Sequence, residues 1–115
     1  MLSVVIPTFN ESKNIRNLVT QIDKALKGIE YEIVFIDDSK DNTPDVIREV
    51  AKDFPAVRME HRKNGTGLAT AVLRGFKIAK GEYNIHFINF FNASTISTTR
   101  SSRSRRWVTS RIWQR

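Results

Sequence analysis

Four apolar residues in unbroken succession, Ile33, Val34, Phe35 and Ile36, lead into two adjacent carboxylates, Asp37 and Asp38, followed by Ser39 and Lys40. A strand with one wet face alternates apolar and polar side chains. This run does not, so it predicts a strand covered on both faces, the situation of a parallel sheet with helices on either side. In open sheets of that kind ligands bind beyond the carboxyl ends of the strands. The acidic pair is therefore expected at the rim of a ligand crevice. Asp-Asp-Ser also suits a solvated turn, and the rest of the chain must separate the two readings.

The flanking pattern supports a sheet. Residues 2–6 read as a first strand, stopped by Pro7. Ser12 is a candidate N-cap for a helix whose apolar stripe is Ile15, Leu18, Val19, Ile22 and Leu26, with Gly28 at its end. Residues 31–36 are the second strand. Thr43 and Pro44 have the order of an N-cap and a first helical residue, ahead of Val46, Ile47, Val50, Ala51 and Phe54. Residues 57–61 form a short third strand. Gly65, Thr66 and Gly67 open a third helix with Leu68, Ala69, Ala71, Val72, Phe76 and Ala79 as its apolar side, and Gly81 closes it. Residues 83–91 read as a fourth strand. The order β-α-β-α-β-α-β predicts an α/β fold with a mostly parallel sheet and helices on both faces.

The chain has 115 residues, no cysteine and a formal charge of +7, unevenly spread. Thirteen basic residues face twelve acidic ones up to Glu82; beyond it stand six arginines and no acidic residue. Ten of the seventeen residues from 94 to 110 are Ser or Thr. Apolar periodicity ends there, which predicts a boundary near Asn92: an α/β unit over 1–91, then a basic Ser/Thr/Arg-rich tail over 92–115 that is disordered or loosely docked. Without cysteine there is no disulfide or thiolate metal site. No apolar run approaches the ~20 residues of a membrane span. The opening residues lack a basic region and a small-residue cleavage site, so no signal peptide is expected.

Chemistry is expected in three loops. Pro7, Thr8, Phe9, Asn10 and Glu11 leave the first strand at the same sheet edge as Asp37, Asp38 and Ser39. Carboxylates there can accept hydrogen bonds from base N–H or ribose hydroxyl groups, an aromatic ring can pack on a base, and a helix N-terminus favours anions. The competing reading is helix capping by Asn10 or Ser12, with Glu11 answering the helix dipole. Arg62, Lys63 and the glycines through Gly67 can bring charge and backbone N–H groups to phosphates. The spacing is neither a Walker loop nor Gly-x-Gly-x-x-Gly, so a plain surface turn also fits. His61 and His86 lack ligand spacing and are expected to be structural.

Three segments together carry a resemblance: residues 4–11 (Val-Val-Ile-Pro-Thr-Phe-Asn-Glu), 31–39 (Tyr-Glu-Ile-Val-Phe-Ile-Asp-Asp-Ser) and 67–76 (Gly-Leu-Ala-Thr-Ala-Val-Leu-Arg-Gly-Phe), closed by Lys-Gly-Glu-Tyr at 80–83. In order and spacing they resemble family 2 glycosyltransferases of the GT-A fold, most closely the dolichol-phosphate mannose synthases and related polyprenyl-phosphate sugar transferases. The likeness covers residues 2 to about 87. It implies a Rossmann-like nucleotide-binding half of a GT-A domain and a nucleotide-sugar donor, GDP- or UDP-linked, with GDP-mannose in the nearest subgroup. It also implies an acceptor such as a dolichyl or polyprenyl phosphate. By the resemblance Pro7, Thr8, Phe9 and Glu11 lie at the nucleotide, with Phe9 where tyrosine is more usual. Asp38, with Asp37 and Ser39, contacts base or ribose, and Arg62, Lys63 and Gly67 border the sugar-nucleotide pocket. A cytoplasmic location, peripheral at a membrane surface, goes with such an acceptor; nucleic acid is not an expected partner.

The resemblance also implies Mg²⁺ or Mn²⁺ held by an Asp-x-Asp motif near positions 88–90, where this chain has Ile88, Asn89 and Phe90. Apolar side chains cannot ligate hard cations. With the change in composition that follows, this points to a chain that leaves the family's reading frame, truncated and inactive alone. Two alternatives stand beside it. One is a catalytically dead nucleotide-binding module whose basic tail engages a membrane or nucleic acid. The other is a phospho-acceptor receiver domain, disfavoured because its acidic pair would follow the first strand.

Overall fold

The computed structural model describes residues 1–64, 67–90, 93–100 and 107–111, with side chains described over 1–64 and 67–86. Along the chain run β1 (Leu2–Thr8), α1 (Ile15–Ala25), β2 (Tyr31–Asp37), α2 (Thr43–Asp53), β3 (Val57–His61), α3 (Leu68–Ile78), β4 (Tyr83–Phe90), β5 (Ala93–Arg100) and β6 (Trp107–Arg111). They form one sheet in the order β3-β2-β1-β4-β5-β6. The first four strands are parallel; β5 and β6 add on antiparallel. Strand order reverses between β1 and β4, and at such a switch point the connections diverge and leave a crevice at the carboxyl ends.

The apolar run of β2 is buried on both faces, as its lack of alternation requires. Ile33 and Phe35 join Val4, Ile6 and Val57 under α1 and α2, which contribute Ile15, Leu18, Val19, Ile22, Ile47 and Val50. Val34 and Ile36 join Val5 and Ala71 under α3 on the opposite face. Each fully buried side chain of this size stabilises the fold by about 1.5–3 kcal/mol through the hydrophobic effect, so these two layers carry most of the fold.

Several boundaries differ from the sequence reading. Pro7 does not stop β1, which runs on to Thr8. The reason lies in strand alternation. The Leu2 N–H donates to the Glu30 carbonyl, and the Thr8 carbonyl accepts from the Asp38 N–H, so the even residues of β1 face β2. Pro7 therefore faces the β4 side, beyond Val5, the last β1 residue paired there among the described residues; its missing N–H costs no ladder bond. Ser12 does not cap α1. The cap residue is Asn14, after a turn in which its N–H bonds the Glu11 carbonyl. Helix α2 begins at Thr43, with Asn42 as the cap residue and Pro44 in the first turn. In α3, Leu68 and Ala69 are exposed and Gly75 is buried. Gly28 holds φ +83° after α1, the left-handed position glycine takes without cost.

Beyond Asn92 the sequence reading expects no regular element, yet β5 and β6 extend the sheet. A strand needs backbone pairing rather than a buried face, and Thr, Ile, Val and Trp at 95, 96, 98, 99, 107, 108 and 109 favour extended backbone. The expected disorder at 91–92, 101–106 and 112–115 lies outside the described residues, as do Gly65 and Thr66. Among the described residues no helix is long and apolar enough to cross a membrane.

At the end of the sheet opposite the carboxylate pair, a buried polar cluster ties the α3–β4 connection to β1. Glu32 accepts from Ser3 Oγ at 2.6 Å, Arg58 Nε at 2.8 Å and the Lys80 N–H at 2.7 Å. The Gly81 N–H donates to Ser3 Oγ at 2.8 Å, and a Cβ on Gly81 would lie 2.4 Å from the Met1 carbonyl oxygen. Burial pushes the Glu32 carboxyl up, but the bonds from Arg58, Ser3 and Lys80 outweigh it and hold the group below its ordinary value of 4.5. A carboxyl that titrates lower folded than unfolded stabilises the fold above the ordinary value and loses that contribution as pH falls through the lower folded one. Glu32→Ala is expected to cost about 2 kcal/mol at neutral pH, because three donors lose their acceptor. Urea unfolding of both proteins between about pH 3 and pH 7 should show the gap shrinking toward the acid end. A gap that does not change with pH would mean that the charge of Glu32 contributes nothing.

Candidate functional site

Thr8, Asp37 and His61 stand in one row across the ends of β1, β2 and β3 by strand register. Registered neighbours share a face of the sheet, so their side chains meet. Asp37 is fully buried and its carboxylate is used up within this row and the loop after it. Oδ1 accepts from Thr8 Oγ1 and Ser39 Oγ, both at 2.6 Å. Oδ2 accepts from the Ser39 N–H at 3.3 Å and pairs with His61 Nδ1 at 2.8 Å. An ionised carboxylate only accepts, so the Nδ1 of His61 carries the proton of that bond.

The next residue, the first beyond β2, takes a different partner. Asp38 lies on the α3 side and is gripped by the fork of Arg62, Nε at 2.7 Å and Nη2 at 2.6 Å from its two oxygens, with both side chains mostly buried. The paired carboxylate pushes the Arg62 guanidinium further up. Arg62 also reaches Thr70 Oγ1 at 3.2 Å and, more weakly, the Gly67 carbonyl at 3.4 Å. Gly67 has φ +112° at the N-terminus of α3.

The β1 loop is laced onto the β2 loop. The Asn10 N–H donates to Ser39 Oγ at 2.7 Å, and Asn10 Oδ1 accepts from the Lys40 N–H at 3.0 Å. The Glu11 N–H donates to Thr43 Oγ1 at 3.0 Å. Lys40 Nζ reaches the Lys63 carbonyl at 3.3 Å, which brings in the β3 loop. Phe9 is 58% exposed on this rim. Burial pushes the Glu11 carboxyl up, opposed by the Phe9 backbone N–H and reinforced by the negative charge of Asp37.

The structure thus gathers Pro7, Thr8, Phe9, Glu11, Asp37, Asp38, Ser39, Arg62, Lys63 and Gly67 at one edge of the sheet, where the sequence reading placed them. It divides their tasks differently. Asp37 does not stand beside Asp38: it ends β2 with its oxygens already holding four protein hydrogen bonds, whereas Asp38, just beyond the strand, pairs with Arg62. Asn10 caps no helix, because its Oδ1 is turned to Lys40. The sequence reading missed Thr43 and Lys40 as links between the loops. His61, expected to be structural, stands at the site itself: it ends β3 in register with Asp37 at the end of β2 and bonds its carboxylate. His86 stays apart in the middle of β4, opposite Val5, with its ring edge-on to Phe76 at 5.8 Å. Its Nδ1 has no hydrogen-bond partner among the described residues, and burial pulls its pKa down.

The described residues do not fit a divalent cation. No three His, Asp or Glu side chains converge among them. Asp37 gives both oxygens to four protein donors, and Asp38 is paired with Arg62, so they do not form the cluster of free carboxylate ligands that Mg²⁺ and Mn²⁺ require. The side chains of positions 88–90 lie outside the described ones.

The fold is a parallel α/β sheet whose acidic, aromatic and basic loops meet at the carboxyl ends, the edge at which open sheets of this class bind ligands. A profile described as Glycosyl transferase family 2 matches residues 3–93, and the chain belongs to that family. It is 45% identical over 82 residues to a dolichol-phosphate mannosyltransferase of Pyrococcus furiosus, covering 70% of this chain and 23% of that protein. Over 85 residues it is 35% identical to the dolichol-phosphate mannosyltransferase of Saccharomyces cerevisiae, covering 70% and 32%. Among solved structures, the mannosyltransferase PcManGT of Pyrobaculum calidifontis, in complex with GDP-Man and Mn²⁺, superposes with a TM-score of 0.68 at 26% identity, over 76% of this chain and 26% of that one. TarS of S. aureus in complex with UDP, at 23% identity and a TM-score of 0.65, shares the fold. The chain spans between about a quarter and a third of the length of these mannosyltransferases.

Proposed function

We propose that this chain holds the nucleoside diphosphate of a sugar nucleotide at the rim formed by residues 7–11, 38–39, 62–64 and 67. In that reading it is the donor-binding part of an enzyme that transfers a sugar to an acceptor. The observation that carries the reading is that the exposed Phe9, just beyond β1, and the forked Asp38–Arg62 pair, just beyond β2 and β3, share the carboxyl edge of the parallel sheet. Phe9 offers an apolar face to a base. The guanidinium engages one side of the Asp38 carboxylate, whose four lone-pair sites leave acceptors for a base N–H or a ribose hydroxyl. Arg62, Lys63 and the N-terminus of α3 supply positive potential toward phosphates.

A GDP-linked mannose is the first choice of donor, supported by the kinship to dolichol-phosphate mannosyltransferases and to a structure solved with GDP-Man; a UDP-linked sugar is the second. A polyprenyl phosphate is the acceptor class the kinship favours, and it puts the reaction at the cytoplasmic face of a membrane. A departing nucleoside diphosphate leaves with negative charge that a bound divalent cation would offset. Ile88, Asn89 and Phe90 supply no carboxylate for one, so this chain alone binds donor without transferring sugar.

Titration calorimetry with GDP and UDP tests the site. Asp38→Ala is expected to weaken binding by more than tenfold, about 1.4 kcal/mol. Equal affinity in the variant, or no affinity in the parent chain, would remove the assignment. The same preparations should give no sugar transfer to a polyprenyl phosphate with Mn²⁺ added; metal-dependent turnover would contradict the reading of positions 88–90.

A further inference from the structure

Among the described residues, Asn10 is the one non-glycine residue with positive φ, at +51°. A left-handed backbone at a residue other than glycine is uncommon; asparagine tolerates it best because its short amide can bond locally. Such outliers persist where surrounding contacts hold them, and they gather at ligand sites. Asn10 is exposed, so core packing does not hold it there. What holds it is the β2 loop. Its N–H is taken by Ser39 Oγ, itself bonded to the buried Asp37, and its Oδ1 takes the Lys40 N–H. The residues on either side, Phe9 and Glu11, are the ones proposed to meet the nucleotide.

We propose that Asn10 is a positioning residue for nucleotide binding: its left-handed backbone, pinned to Ser39 and Lys40, sets where Phe9 and Glu11 stand at the crevice. The inference rests on the donor-binding reading above. The chain of contacts runs from the fully buried Asp37 through Ser39 to the Asn10 N–H, so the rigid end of β2 determines the path of the β1 loop. No bond from Asn10 to the ligand is required. The effect acts through backbone conformation, and that separates it from an ordinary contact residue.

Two substitutions distinguish these roles. Asn10→Gly keeps the backbone accessible to φ +51° and the N–H bond to Ser39, and loses only the Oδ1 bond. Asn10→Ala loses that bond and disfavours the conformation as well. Calorimetric affinity for GDP and UDP is measured on the 115-residue chain, alongside urea unfolding to establish the folded fraction. The expected order is parent, then Gly weakened about threefold, then Ala weakened about tenfold, with all three folded under the binding conditions. Rescue by glycine relative to alanine is the signature of a conformational role. Gly binding as weakly as Ala, or Ala binding within twofold of the parent, overturns the proposal while leaving the donor-binding reading in place. Affinity losses that follow the unfolded fraction overturn it too, because they assign Asn10 to stability alone. A parent chain that binds neither nucleotide overturns the donor-binding reading and this proposal with it.

Discussion

Asp37→Ala is expected to lower the stability of the chain by about 3 kcal/mol and to abolish nucleotide binding. The carboxylate is fully buried and takes hydrogen bonds from Thr8, twice from Ser39, and from His61. Removing an acceptor strands its donors, and each buried donor left unsatisfied costs about 1–3 kcal/mol. The Thr8 hydroxyl can turn and the partly exposed His61 can find water, which keeps the total well below the sum. Asp37→Asn should cost less, about 2 kcal/mol, because the amide keeps one acceptor and turns an N–H toward groups that also donate. Native stability is only about 5–15 kcal/mol, so the alanine variant should unfold at a clearly lower urea midpoint. Hydrogen exchange should quicken first at the amides of Asn10, Ser39 and Lys40. A midpoint within error of the parent would show that the network adds nothing; lost stability with unchanged GDP affinity would show that the loops hold their places without Asp37.

A glycine in the middle of a helix normally invites improvement: Gly→Ala at an ordinary helical site stabilises by about 1 kcal/mol. Gly75 is expected to do the reverse. A Cβ built there lies 2.1 Å from Val5 Cγ1, inside any allowed contact, and Val5 is fully buried. Helix α3 approaches β1 so closely because residue 75 has no side chain. Gly75→Ala must lift α3 or turn Val5 off its rotamer, which costs about 1–3 kcal/mol and outweighs the helical gain. The net loss should be about 1 kcal/mol, and Gly75→Val, with two further carbons, should lose about 3 kcal/mol or more. Nucleotide binding should weaken too, because α3 carries Thr70 at its first turn, beneath Arg62. Chemical denaturation of the three proteins checks the order; an alanine variant as stable as the parent would mean that α3 has room to move.

The amino-acid sequence by itself determined the layers. An apolar run without alternation can be satisfied only between two helical layers, and β2 lies between α1 and α2 on one side and α3 on the other. The period of Ile15, Leu18, Val19 and Ile22 fixed which face of α1 turns inward. The collection of residues 7–11, 37–39, 62–64 and 67 at one edge followed from parallel connectivity, which brings all carboxyl strand ends to the same side. Tertiary structure decided what each of these residues does. Whether a carboxylate faces a crevice or the interior depends on where its strand ends relative to its neighbours, and that register put Asp37 between Thr8 and His61 and left Asp38 to Arg62. No local pattern reports that Gly75 will meet Val5, that Glu32 will collect donors from three separate segments, or that Asn10 will bond forward to Lys40 instead of capping a helix. These contacts join residues 26 or more positions apart. They are set by how the elements pack, whereas the periodicities that revealed the elements act over a single turn or a single strand.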